Sequence, residues 1–139
     1  MRPNNRKFFD RQVEWVLARL PQKVFRLLTE VPLHVEDQPS KQLMRELKIG
    51  DADELCGYFC GMPKSKSNAY FGSNIYFTPD APILTSITIF RRGIVATARN
   101  EQGKVSKNEL REQIRITILH ELAHYHGIEE EELVEIGYG

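Results

Sequence analysis

The chain is short of several features that would narrow its class at once. Its 139 residues hold two cysteines, Cys56 and Cys60, and a single tryptophan. If the segment from Cys56 to Cys60 is extended, residues four apart lie too far from each other for a disulfide. A redox pair wants two intervening residues, and a structural zinc site wants four ligands. The cysteines therefore read as small buried apolar residues. Excess charge is lacking too: Lys+Arg and Asp+Glu both number 19, so the formal net charge is zero. A protein whose main partner is nucleic acid or an anionic membrane usually carries a basic excess, and neither partner is expected here. No stretch approaches ~18 consecutive apolar residues, so nothing reads as a bilayer span. The charged start, Met1 to Lys7, is followed by no apolar run of the kind a secretory signal needs. The cytoplasm is the simplest expected address, although a processed form would look the same.

What is present suits one ordinary core. Hydrophobic residues make up 41% and charged residues 27% of the chain, an average soluble balance. The length is near the common single-domain size, and no repeat, low-complexity tract or linker divides it. Residues 1–139 therefore read as one domain. Val13, Val16, Leu17 and Leu20 recur at helical spacing and predict a helix from about Asp10 to Leu20. Pro21 suits the first turn of a second helix, Gln22 to Thr29. Val31 to Glu36 alternates as a strand does. Ser40 is an N-cap for a short helix to Leu47, closed by Gly50. Leu55 to Phe59 and Ile83 to Phe90 read as strands, and Gly61 to Asn74 as an exposed loop. Arg91-Arg92-Gly93 is read as a turn. Helices first, then a few strands, then a helix give an α+β class with a small mixed or antiparallel sheet.

The last helix carries the chemistry. Ser106-Lys107-Asn108-Glu109 is a capping box, which predicts a helix from about Lys107 to His126. Ile114, Ile116, Ile118, Leu119, Leu122 and Ala123 occupy most of its circumference, as on a buried helix. Gly127 suits the left-handed position that ends it. Within the helix stands His120-Glu121-Leu122-Ala123-His124. The two histidines, at i and i+4, project from one face and can share a zinc ion. Glu121 lies about 100° further round, able to reach a metal-bound water without ligating. That spacing is the logic of zinc peptidases, in which the metal acidifies water and the Glu takes its proton.

A tetrahedral catalytic site needs a third protein ligand and one open position. Glu129, Glu130 and Glu131 could each turn inward. The reversal at Gly127 favours Glu130, leaving its neighbours as solvated carboxylates at the start of a terminal helix. His126 follows His124 by only two residues and leaves the helix on another face. His34, on the first predicted strand, reads as a half-buried structural histidine.

The stretch His120 to Glu130 resembles the minimal zincin-like metallopeptidases of bacteria, whose motif is HExxHxxGxxD or E. Further landmarks are Leu20-Pro21, Val31 to Glu36, Gly57 to Pro63, Ile87 to Arg91 and Glu135 to Tyr138, so the likeness covers about residues 12 to 138. It implies a single small zincin-like domain with a C-terminal active-site helix. It implies one Zn2+ held by His120, His124 and Glu130, with Glu at the eleventh motif position where Asp is more usual. Glu121 would assist a zinc-bound water in peptide hydrolysis. A C-terminal aromatic would support the site, which here is Tyr138; its phenol could instead stabilise an oxyanion or simply close the core. The implied partner is a peptide or protein substrate, pairing with an edge strand for which Ile83 to Phe90 is the candidate. A homodimer stays open.

Two other classes compete. Metal-dependent ribonucleases use a similar helix, but with Gly in place of Glu121 and His as third ligand, and zero net charge disfavours RNA. A metal-binding module without turnover would carry the same ligands.

Overall fold

The computed structural model describes residues 1–61 and 85–126. Helix α1 spans Pro3–Arg19 and α2 spans Gln22–Leu28. Strand β1 follows at Leu33–Glu36, then α3 at Lys41–Leu47 and a single 3₁₀ turn at Ala52–Glu54. Strands β2, Gly57–Cys60, and β3, Ser86–Phe90, precede helices α4, Arg91–Ala98, and α5, Lys107–His126. The expected α+β class holds.

The sheet is mixed, in the order β1-β3-β2, with β1 parallel and β2 antiparallel to β3. Its register places Leu33 by Ile87 and Val35 by Ile89, while Phe59 and Gly57 meet the same two isoleucines from the other side. Alternation along a strand then puts all six on one face. Ile87 and Ile89 are fully buried there, and Leu33, Val35 and Phe59 pack against the same core. Helix α5 supplies the facing layer through Leu110, Ile114, Ile118 and Leu122, and α1 adds Phe9, Val13 and Val16. None of the described helices is long and apolar enough to cross a membrane.

Several expectations shift. Helix α1 begins at Pro3, seven residues before the expected start at Asp10, because proline is pre-organised for a first turn. Ser40 does cap α3, accepting from the Leu43 amide at 3.1 Å. The helix is closed by Lys48 in the left-handed region, φ 58°, rather than by Gly50. Arg91-Arg92-Gly93 is no turn but the first turn of α4. Arg91 is fixed there by ion pairs to Asp10 and Asp37, both 2.9–3.0 Å long. Gly93 lies so close to the Leu55 carbonyl that a methyl group would sit 2.0 Å from its oxygen.

Strand β3 is central, with both sides paired, so the Ser86–Phe90 part of the expected strand cannot offer a substrate its edge, and 83–84 lie outside the described residues. Among the described residues β2 is an edge. Ile116 is 41% exposed, so α5 is not buried all round. Cys56 is half-buried and lies 3.3 Å from the Thr97 hydroxyl, whereas Cys60 is exposed. The buried reading thus fails for Cys60, which ends β2 on the face away from the core. His34 is exposed on β1, not half-buried.

Candidate metal centre

The site is built from the start of α5. The Ser106 hydroxyl accepts from the Glu109 amide at 3.1 Å, while the Glu109 carboxylate takes the Gln113 side-chain amide at 3.0 Å. One half of the expected capping box is therefore formed, and the other is replaced by an i,i+4 pair. From that cap the helix runs without a break to His126. Its inward residues are held by the sheet and by α1, so the side chains of its last turns have a rigid base.

On those turns His120, Glu121 and His124 come together, with one ligand atom from each inside a sphere of contacts no wider than 4.8 Å. The two imidazole Nε2 atoms are 3.0 Å apart, and the rings meet edge to face with centroids at 4.6 Å. Two zinc–nitrogen bonds of about 2.0–2.1 Å at a tetrahedral angle would separate the nitrogens by about 3.4 Å. A small rotation of either ring closes that difference. Both histidines present the same nitrogen to the same point, and the donor set fits a borderline cation such as zinc.

Glu121 differs from its neighbours in burial. It is 7% exposed, whereas His120 is half-buried and His124 is exposed. Burial raises its carboxyl above the ordinary glutamate value, against the pull of the His120 and His124 imidazoles. A buried carboxylate beside two metal-type ligands is the arrangement that favours holding and returning a proton.

Gly57, expected only as a family landmark, shapes this site. A methyl at its Cα would sit 2.8 Å from Thr117 Cγ2 and 3.1 Å from Glu121 Cγ. Only glycine lets β2 lie so close to α5. Two residues on, the Phe59 ring meets Tyr125 of α5 with centroids 5.9 Å apart. The strand is thus clamped to the helix on either side of Glu121. A glycine inside a strand is the sequence signal that could have marked such an approach.

The expected third ligand Glu130, the stop at Gly127 and the aromatic Tyr138 lie outside the described residues. So do the loop at 62–74 and the side chain of His126. His34 stands on β1, apart from the cluster at the end of α5.

A family model described as a zincin-like metallopeptidase matches residues 28–139, well over half of the chain. The protein belongs to that family. The family is one of metallopeptidases, and His120, Glu121 and His124 form a cluster that could hold a metal ion. No curated protein matches the sequence.

Proposed function

We propose that the chain is a zinc-dependent peptidase whose metal is held by His120, His124 and Glu130, with Glu121 as general base and acid. The observation that carries this reading is the pair of Nε2 atoms at 3.0 Å beside a buried glutamate of the same helix. Bound zinc would supply a Lewis acid for the peptide carbonyl and would lower the pKa of a coordinated water.

The protein's own part is proton transfer and positioning. Glu121 accepts the proton of the attacking water as a C–O bond forms at the peptide carbonyl. It then delivers that proton to the leaving amine as the C–N bond breaks. Burial suits the base step, because a carboxylate whose pKa is raised takes a proton from water more readily than a strongly acidic one does. Gly57 and Phe59 hold β2 against α5 and so back the Glu121 side chain. A peptide or protein substrate would add to the sheet beside β2, the edge nearest Glu121 among the described residues. Tyr138 is assigned to supporting the site from the C-terminal side, with its phenol available to an oxyanion. The cytoplasm remains the proposed location and residues 1–139 the proposed single domain.

The test is metal analysis of chelator-free protein, paired with cleavage of a generic unfolded protein. About one zinc per chain and cleavage by wild type are expected. A His124→Ala variant that kept stoichiometric zinc would sink the site as drawn.

A further inference from the structure

A concave feature lies away from the histidine cluster, between the C-terminal end of α1 and α5. It encloses about 350 Å3, a volume within the range of small-molecule sites. Trp15, Leu20, Pro21 and Leu119 form its apolar wall.

Its charge is the informative part. The Arg19 guanidinium carbon stands 3.9 Å from the Trp15 ring centroid, and that of Arg111 stands 3.8 Å from it. Two like charges are thus held over one indole, separated by no more than the sum of those distances. Arg115, one turn further along α5, also lines the cavity and is paired with Glu112 at 2.6 Å. Glu112 is the one carboxylate among the described lining residues, so positive charge is in excess.

Among the described residues the two stacked guanidinium groups keep donors to spare. Each has five N–H groups. Among the described residues Arg19 spends one on the Trp15 carbonyl, at 3.2 Å, and Arg111 spends one on Gln12 Oε1, at 2.8 Å. Those bonds fix where the cations stand without neutralising them. Stacking on an indole orients a guanidinium while leaving its edge open to an anion.

We propose that this cavity is a binding site for a small amphiphilic carboxylate. The acid group would lie on the edges of Arg19 and Arg111, and an aromatic or branched aliphatic body would lie against Leu20, Pro21 and Leu119. Carboxylate recognition by paired guanidinium donors is strong and directional. The apolar wall selects against inorganic anions, which have nothing to bury there. Such a group could arrive as a free organic acid or as the C-terminal residue of a peptide.

Trp15 is the sole tryptophan of the chain, so its emission reports on this cavity alone. The experiment titrates the full-length protein with 4-phenylbutyrate, its uncharged amide, and inorganic phosphate. A short peptide ending in leucine, with free or amidated C-terminus, forms a second arm. A saturable change in emission with the acid, and at least about tenfold weaker binding of the amide and of phosphate, is expected. Response to the free but not the amidated peptide would assign the peptide source. Response to phenylbutyrate alone would assign the free acid. Arg111→Gln should weaken the acid about tenfold. Because Arg111 also ties α5 to Gln12 of α1, Arg19→Gln is the companion variant, since Arg19 is exposed at the end of α1. No saturable change, equal binding of acid and amide, equal binding of phosphate, or unaltered affinity in Arg19→Gln would each overturn the proposal.

Discussion

Glu121 and Asp37 are both carboxylates held by the fold, and their surroundings pull them in opposite directions. Asp37 sits between Arg6 and Arg91, with a guanidinium nitrogen 2.9 Å from each of its oxygens, and the N-terminal ammonium lies 3.5 Å away. The Arg6 hydrogen bond above all, helped by Arg91, brings its carboxyl down to about 2 against the effect of burial. Glu121 has no such cation at hand among the described residues; it has two imidazoles and a strand lying close, and burial wins. One carboxylate is committed to charge and ties α1 to the region after β1. The other is buried, and burial raises its carboxyl above the ordinary glutamate value. Pairing stabilises, and incomplete pairing reacts.

The largest expected effect comes from removing the reactive member. Glu121→Gln keeps the shape and loses the base, so turnover should fall about 10²–10⁴-fold while zinc content stays at wild-type level. Loss of metal in step with activity would show that Glu121 ligates or holds the fold, and the contrast with Asp37 would lose its meaning. Next comes the proposed third ligand. Glu130→Ala should weaken zinc binding by at least ~10-fold in a competition titration. Glu129→Ala and Glu131→Ala should stay near wild type, and Glu130→Asp should retain metal. Equal effects at all three positions would leave Glu130 with no special role.

A stability effect follows from the close approach behind Glu121. Gly57→Ala places a methyl group against Thr117 and Glu121 and should cost about 1–3 kcal/mol in denaturant unfolding. An unchanged midpoint would mean that β2 does not rest on α5 as described. The smallest effect belongs to Asp37. Its folded-state pKa, about 2, is below the ordinary 3.8, so its contribution is present above pH 3.8 and is lost as pH falls towards 2. Asp37→Asn should therefore lose stability near neutrality and show a shallower decline between pH 4 and pH 2. Parallel pH curves for variant and wild type would remove Asp37 from the acid response.

What could be read from the sequence was whatever depends on near neighbours. The i,i+4 histidines, the caps at Ser40 and Ser106 and the alternation in β1 and β3 all need only a few residues of context. Helix α4 could not be read that way. Arg91-Arg92-Gly93 has the chemistry of a turn, and it is helical because Asp10 and Asp37 hold Arg91 while the Leu55 backbone admits only a glycine at 93. The same blindness placed β3 at an edge, since its alternation is equally good with one neighbour or two, and parallel pairing with β1 leaves no local mark. Within the site, the helix, its three side chains and strand β2 were legible, whereas the close packing of β2 against the helix was not. The roles of Glu130 and Tyr138 rest on the family's spacing.

The clasp between the two ends of the chain has a kinetic side. Asp37 meets Arg91 across 54 residues, and Gln12 meets Arg111 across 99. Closing loops of that length precedes any reward from the contacts they make, so refolding should be slower than for a helical bundle of this size. Until α1 returns to cover it, the apolar flank of α5 stands open, and with it the helix that carries both histidines. A nascent or partly unfolded chain would therefore display Ile114 and Ile118 to chaperones and proteases before its metal ligands have a rigid base.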